Sequence, residues 1–141
     1  MLGGGGSLGA VQVGMLQALG ERDIPPDIVA GTSVGSLNGS VLAMDPKSAA
    51  NRLSHLWAKM TRDRVFPGGL LSQARTLQHT RTHLFPSTGL VPVVYLHGPE
   101  PLRISPLDFR QTGPLIETAY EAARSFLDRL HVDGPGLYGS P

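Results

Sequence analysis

The amino-acid sequence predicts an α/β fold in which a parallel or mixed sheet is flanked by helices. A glycine-rich turn at residues 3–9 leads into a helical pattern, and a second glycine-bearing turn at residues 31–35 lies between a strand pattern and a helical pattern. This βαβα order is typical of a parallel sheet covered by helices. The 141 residues are enough for one domain with a hydrophobic core.

Composition and charge exclude several classes of function. The net charge is +1, and the Lys and Arg residues are scattered rather than clustered, so we expect no nucleic-acid partner. The absence of cysteine excludes disulfides and a thiol nucleophile. No apolar run is long enough to span a bilayer, and no basic segment leads into an apolar stretch as in a signal peptide. We therefore expect a cytoplasmic protein, with or without peripheral membrane association; the oligomeric state stays open.

The first third of the chain predicts four elements. The first two residues leave only a stub of a strand ahead of the glycine-rich turn. Residues 10–19 predict a helix, because their apolar side chains recur on one stripe. Residues 27–30 predict a short buried strand, and residues 36–44 predict a helix built largely of small residues.

The rest of the chain has clearer helices than strands. Ser48 is a candidate N-cap for a helix that continues to residue 60. Pro92 restricts the strand pattern at 91–96 to a sheet edge or a first strand position. Pro114 suits the first turn of a helix over residues 115–130. Three segments carry weaker patterns: a loop at 62–69, a weak helix at 70–85 and a Gly/Pro-rich tail at 131–141 that we expect to be poorly ordered.

The turn at residues 31–35 fits the pattern Gly-x-Ser-x-Gly. A serine in a tight strand-to-helix turn has a strained backbone and an exposed hydroxyl, so Ser33 is the candidate nucleophile. The following helix directs its positive N-terminal end toward the place where an oxyanion would form. The other residues of this predicted nucleophile elbow are Gly31, Thr32, Val34 and Gly35.

The first glycine-rich turn fits Gly-x-Gly-x-x-Gly and has two interpretations. A dinucleotide site would need an acidic residue at the end of the second strand, where the sequence has the elbow instead. An oxyanion hole is favoured, because consecutive glycines can turn several N–H groups toward one point. The candidate donors are the N–H groups of Gly4, Gly5, Gly6, Ser7, Leu8 and Gly9, with that of Val34 from the elbow.

Residues 2–16 and 27–39 together resemble the patatin-like phospholipases, with the glycine loop, the first helix and the serine elbow in the same order and spacing. The resemblance implies a three-layer fold related to the α/β-hydrolases. It also implies a lipid acyl hydrolase with a Ser–Asp pair, in which Ser33 is the nucleophile and the loop from Gly4 to Gly9 holds the oxyanion. The implied substrate is a lipid at a membrane or micelle surface, with no metal or organic cofactor.

Two features depart from the family pattern. Leu8 stands where the family often has a basic residue, which removes a charge but no backbone donor. The family's Asp-Gly motif has only one counterpart, Asp133-Gly134, and it follows a helix rather than a strand. We therefore expect a partial patatin-like domain over residues 1–130, with Asp133 as the candidate base. The alternative is a catalytically silent, truncated domain that only binds lipid or a partner.

The five histidines leave one more alternative open. His79 and His83 are four residues apart, but no Glu follows His79, so we expect no zincin-like metal site. His55 has the pattern of a solvated helix residue. A Ser-His-Asp esterase would use His97 or His131, provided that one of them reaches Ser33.

Overall fold

The structure is a computed structural model that describes residues 1–65, 92–96, 98–99 and 104–139. The helices in these ranges are α1 (Gly9–Gly20), α2 (Val34–Met44), α3 (Ala49–Ala58), α4 (Arg62–Val65) and α5 (Thr112–Arg129). The strands are β1 (Pro92–Val94) and β2 (Gly136–Tyr138), and 3₁₀ turns cover Gly6–Leu8 and Phe109–Gln111. Predicted helices at 10–19, 36–44, 48–60 and 115–130 are confirmed within two or three residues at each end. The predicted helix at 70–85 lies outside the described residues.

Helix α1 is the centre of the described core and packs against α5 and α3. Trp57 of α3 is buried and stacks on Phe109, with ring centroids 6.1 Å apart and planes 11° apart. Both rings belong to the buried hydrophobic cluster, where stacking adds to the stabilisation from burial. The buried residues of the cluster are Ala10, Val11, Val13, Val34, Leu53, Trp57, Phe109, Leu115 and Ala119.

Gly14 lets helices α1 and α5 approach at backbone contact distance. A Cβ at this position would lie 2.1 Å from the carbonyl oxygen of Ile116 and 2.5 Å from the backbone nitrogen of Tyr120. Any side chain would therefore force the helices apart. The Tyr120 hydroxyl also donates to the Glu21 carboxylate at 2.7 Å, which fastens the far end of α1 to α5.

The predicted sheet is present only in small pieces among the described residues. Strands β1 and β2 are parallel, with Val94 paired to Tyr138. A separate parallel bridge joins Leu2 to Gly31, with hydrogen bonds from Leu2 N to Ala30 O (2.8 Å) and from Thr32 N to Leu2 O (3.0 Å). The helices of the predicted α/β fold are therefore observed, and the sheet is not confirmed.

Three predictions of local structure are corrected. The buried strand predicted at 27–30 is wrong, because only Gly31 forms a bridge and Ile28 is 86% exposed. One bridging residue cannot supply the ladder of hydrogen bonds that orders a strand. The loop predicted from residue 62 begins with helix α4 instead. The tail predicted to be poorly ordered contains β2, which is ordered by pairing with β1, a long-range contact that local composition does not reveal.

Candidate active site

Ser33 occupies a strained turn between the Leu2–Gly31 bridge and helix α2. Its backbone has φ 53° and ψ −124°, and Asp23 is the other described non-glycine residue with a positive φ. A left-handed backbone on a residue with a Cβ costs about 1–3 kcal/mol, so neighbouring contacts must hold it. The side chain is exposed. Ser33 thus has the conformation and exposure that the sequence predicts for a nucleophile elbow.

Gly31 and Gly35 are required by close backbone contacts. A Cβ on Gly31 would lie 2.3 Å from the carbonyl oxygen of Gly35. A Cβ on Gly35 would lie 2.3 Å from the carbonyl oxygen of Leu2 and 2.6 Å from that of Gly3. The two glycines of the elbow therefore allow the turn to close on itself and the N-terminal segment to lie against the start of α2.

Two hydrogen bonds close the elbow around Ser33. The Gly35 N–H donates to the carbonyl of Thr32 at 2.9 Å, and the Ser36 hydroxyl donates to the carbonyl of Gly31 at 2.7 Å. Val34 begins the helix, so its N–H has no partner within the helix. The N-terminal end of α2 therefore presents an N–H group beside Ser33.

The glycine-rich loop lies directly against the elbow. A Cβ built on Gly4 would be 3.3 Å from the Cβ of Ser33. Gly5 and Gly6 have positive φ values, 152° and 57°, which disfavour other residues there. The structure thus brings together the two glycine-bearing segments singled out in the sequence.

Backbone hydrogen bonds divide the predicted oxyanion donors into two groups. Ser7 N–H donates to Pro106 O at 2.7 Å, Leu8 N–H donates to Gly5 O at 3.1 Å, and Gly9 N–H donates to the carbonyls of Gly6 and Ser7. In the described part of the chain, no hydrogen bond occupies the remaining predicted donors. These are the N–H groups of Gly4, Gly5, Gly6 and Val34. Their role as an oxyanion hole stays a prediction.

A turn at residues 105–108 holds the glycine loop through two hydrogen bonds from Ser7. The Ser7 N–H donates to Pro106 O, and the Ser7 hydroxyl donates to Ser105 O at 3.1 Å. The Asp108 carboxylate accepts from the N–H and the side chain of Arg110. The hydrogen bond from the Arg110 side chain is the main cause that lowers the pKa of Asp108 to about 2.

Sequence reasoning missed a buried polar network beneath the site. Asn38 is 1% exposed, and its carbonyl oxygen accepts from the Trp57 indole N–H at 3.0 Å. Its amide nitrogen donates to Gly9 O and to Gln12 Oε1, each at 2.9 Å. The Gln12 amide nitrogen then donates to Gly3 O at 2.6 Å. Both amide N–H bonds and the carbonyl oxygen of Asn38 therefore have partners, and the network links three helices to the start of the glycine loop.

Helical spacing contained a signal for Asn38. Val34, Asn38 and Leu42 are four residues apart and share the buried face of α2. A polar residue on an otherwise apolar helix face must find partners when it is buried. The partners themselves lie on α1 and α3, so their identity could not be inferred from α2 alone.

The candidate base Asp133 lies in the exposed segment just before β2. Its N–H donates to the Tyr138 hydroxyl at 3.1 Å, and that hydroxyl donates to Gly134 O at 2.9 Å. No hydrogen bond joins Asp133 to Ser33, both of which lie in the described part of the chain. The structure thus shows no hydrogen bond between the two members of the predicted Ser–Asp pair, and the role of Asp133 stays a prediction.

The histidines give no triad among the described residues. His55 is exposed on α3, and the exposed His131 contacts Arg129 O at 3.4 Å rather than Ser33. His79, His83 and His97 lie outside the described residues. Within the described ranges, no group of three or more His, Cys, Asp or Glu side chains could hold a metal ion.

Comparison with known proteins identifies the chain's relatives. The sequence model named Patatin-like phospholipase matches residues 1–130. A patatin-like phospholipase domain-containing protein of Caenorhabditis elegans is 46% identical over 69 residues, which are 43% of this chain and 5% of that protein. A lysophospholipase of Aspergillus terreus is 36% identical over 94 residues, 60% of this chain and 6% of its own length. Patatin-like phospholipase domain-containing protein 7 of Mus musculus is 36% identical over 93 residues, 63% of this chain and 6% of the mouse protein.

The chain thus spans about one-twentieth of the length of these relatives. No solved structure gives a significant match. Among the described helices, none is long and apolar enough to cross a membrane. The family match covers nearly the whole chain and includes the glycine loop, the serine elbow and the helices that hold them together. This chain is a member of the patatin-like phospholipase family.

Proposed function

We propose that this chain is a serine hydrolase that cleaves acyl esters of lipids. The observation that carries the proposal is the left-handed backbone of Ser33 at the N-terminus of α2, with Gly4 packed against it. A strained turn is kept where the surrounding contacts enforce it, and such turns cluster at catalytic sites. The elbow glycines and the loop make those contacts here.

In the proposed reaction, the Ser33 hydroxyl attacks the ester carbonyl and its proton passes to a base. The carbonyl oxygen becomes an oxyanion held by the unoccupied N–H groups of the glycine loop and of Val34. The base returns the proton to the leaving alcohol, and water, giving up a proton to the same base, then hydrolyses the acyl-enzyme, which releases the fatty acid and restores the serine. Asp133 is the proposed base, by its match to the family's Asp-Gly motif.

The proposed substrate is a phospholipid with a single acyl chain, presented at a micelle or membrane surface. Related proteins of Aspergillus and other fungi are named lysophospholipases, which supports this substrate. Leu37, in the first turn of α2 beside the elbow, is 60% exposed, and an exposed apolar side chain there is consistent with contact to a lipid surface. Burial of such side chains in lipid is favourable.

The experiment that tests the proposal is labelling of the purified chain with a fluorophosphonate probe, which reacts with activated serines. Ser33→Ala should abolish labelling, whereas Ser40→Ala, which changes an exposed serine further along α2, should keep most of it. The rate of lysophosphatidylcholine hydrolysis in micelles should likewise be abolished by Ser33→Ala and largely kept in the control variant. A folded wild-type chain that takes up no label would overturn the proposal and favour the catalytically silent domain.

Asp133→Asn tests whether Asp133 or another residue is the base that accepts the Ser33 proton. If Asp133 takes the proton, the variant should lose labelling and hydrolysis by several orders of magnitude while unfolding like the wild type. A variant that keeps full activity would leave Ser33 as nucleophile and require another base, with His97→Ala as the next change to test.

A further inference from the structure

The sequence of the glycine loop does not by itself fix the orientation of the peptide units in the loop. Residues 3–6 are four consecutive glycines, and glycine adopts positive and negative φ with similar ease. A peptide unit between two glycines can therefore rotate so that its carbonyl and its N–H exchange sides. An oxyanion site tolerates only one of these orientations, because a carbonyl oxygen in place of the N–H would repel the oxyanion.

A chain of side-chain hydrogen bonds ends on this loop, and every bond in it donates in the direction from Trp57 to the loop. The Trp57 indole is a donor only, so the Asn38 carbonyl oxygen must face it. The Asn38 amide nitrogen then faces Gln12 Oε1 at 2.9 Å. The Gln12 amide nitrogen is thereby left to donate to the carbonyl of Gly3 at 2.6 Å. A donor on α3 thus sets the direction of every amide between it and the loop.

The last hydrogen bond determines the orientation of the Gly3–Gly4 peptide. In a trans peptide the carbonyl and the following N–H point in opposite directions. When Gln12 holds the Gly3 carbonyl, the Gly4 N–H is directed to the other side of that peptide. Gly4 is the loop residue whose Cβ position lies 3.3 Å from Ser33, and its N–H has no hydrogen bond within the described part of the chain.

We infer that Gln12, oriented by Asn38 and Trp57, is a positioning residue that locks the Gly3–Gly4 peptide with its N–H available to the oxyanion. The inference rests on the proposed hydrolase function, and it assigns the network a role in catalysis beyond packing. Gln12 does not touch the substrate and acts through the loop peptide.

Gln12→Glu tests this peptide lock, by which we mean the Gln12 hydrogen bond that fixes the Gly3–Gly4 peptide, with almost no change in side-chain volume. The carboxylate still accepts from Asn38, but it cannot donate to Gly3 and repels that carbonyl. Gln17→Glu is the matched control, because Gln17 is also on α1 and donates to the Ser54 hydroxyl at 3.1 Å, away from the loop. We expect Gln12→Glu to lower kcat by about tenfold with little change in KM, and Gln17→Glu to leave both near wild type.

The pH profile supplies a readout that a merely structural role would not move. When the carboxylate introduced by Gln12→Glu is protonated, it regains an O–H donor for the Gly3 carbonyl. The kcat of Gln12→Glu relative to wild type should therefore recover as the pH is lowered toward the ordinary glutamic acid pKa of about 4.3. A ratio that stays constant with pH, or equal losses in Gln12→Glu and Gln17→Glu, would overturn the inference.

The Gly3 carbonyl carbon reports on the lock independently of activity. Its NMR chemical shift should move in Gln12→Glu and stay in place in Gln17→Glu, because only the first change removes its hydrogen bond. An inactive wild type with this shift change would refute the hydrolase proposal and leave the peptide lock standing. An unmoved Gly3 signal would refute the lock even in an active enzyme.

Discussion

Helix α1 contacts the rest of the molecule in two different ways. Its middle lies against α5 at backbone distance through Gly14, where any Cβ would collide with backbone atoms. Its N-terminal end is joined to the elbow helix and to the glycine loop through hydrogen bonds of Gln12 and Asn38. Close packing resists any change in volume, whereas hydrogen bonds set the direction of a peptide. Global stability and site geometry therefore depend on different contacts of one helix.

The helix crossing should show the largest effect. Gly14→Ala places a Cβ 2.1 Å from Ile116 O, and because backbone cannot shift cheaply we expect a loss of about 3 kcal/mol in the free energy of unfolding. Urea denaturation measures it. Gly20→Ala at the end of the same helix meets no atom within 4 Å and should change stability by less than about 0.5 kcal/mol. Similar losses in both variants would show that the crossing is not the stabilising contact.

A change in the elbow should lower activity more than stability, the reverse of what we expect for Gly14→Ala. Gly35→Ala pushes against the carbonyls of Leu2 and Gly3, so the bridge opens and Ser33 moves. A displacement near 1 Å at a catalytic group costs about 100-fold in rate, and we expect that loss in fluorophosphonate labelling, with a smaller loss of stability than for Gly14→Ala. Gly113→Ala in α5, which meets no atom within 4 Å and lies outside the elbow and the loop, is the control. Normal labelling of Gly35→Ala would mean that the elbow does not depend on this contact.

Trp57 connects the two regions, because it packs in the core and also begins the hydrogen-bond chain to the loop. Trp57→Phe keeps an aromatic ring against Phe109 but leaves the buried Asn38 carbonyl without its donor. We expect a loss of about 2 kcal/mol in unfolding free energy, together with slower labelling of Ser33. Slower labelling is the discriminating result. If the variant loses stability but its Ser33 is labelled at the wild-type rate, the hydrogen-bond network does not affect the reactivity of Ser33.

Acid titration should give the smallest effect. The folded-state pKa of Asp108 is about 2, below the unfolded value of about 3.9, so its contribution to stability is present above pH 4 and declines as the pH falls through about 2. Asp108→Asn should be slightly less stable than wild type at neutral pH, and the difference should shrink over that acid window. Urea midpoints at several pH values measure it. A difference that does not vary with pH would mean that the carboxylate charge contributes nothing.

The sequence predicted the elements whose signals are local. Apolar stripes located α1, α3 and α5 to within a few residues, and the Gly-x-Ser-x-Gly pattern located the strained Ser33. The strand at 27–30 was wrongly predicted, since composition cannot show whether a neighbouring strand is there to pair with it. Strand β2 was missed for the same reason, because it is ordered by a partner more than 40 residues away.

By itself, the sequence determined the positions of the helices, the serine elbow and the glycine loop, because helix periodicity and glycine spacing act over a few residues. Only the tertiary structure decided which loop N–H groups are already occupied and which stay unpaired. It also decided that Asn38 connects Trp57 to Gln12 and so to the Gly3 carbonyl. The direction of a hydrogen bond depends on partners brought together from distant segments, and no local pattern contains that information.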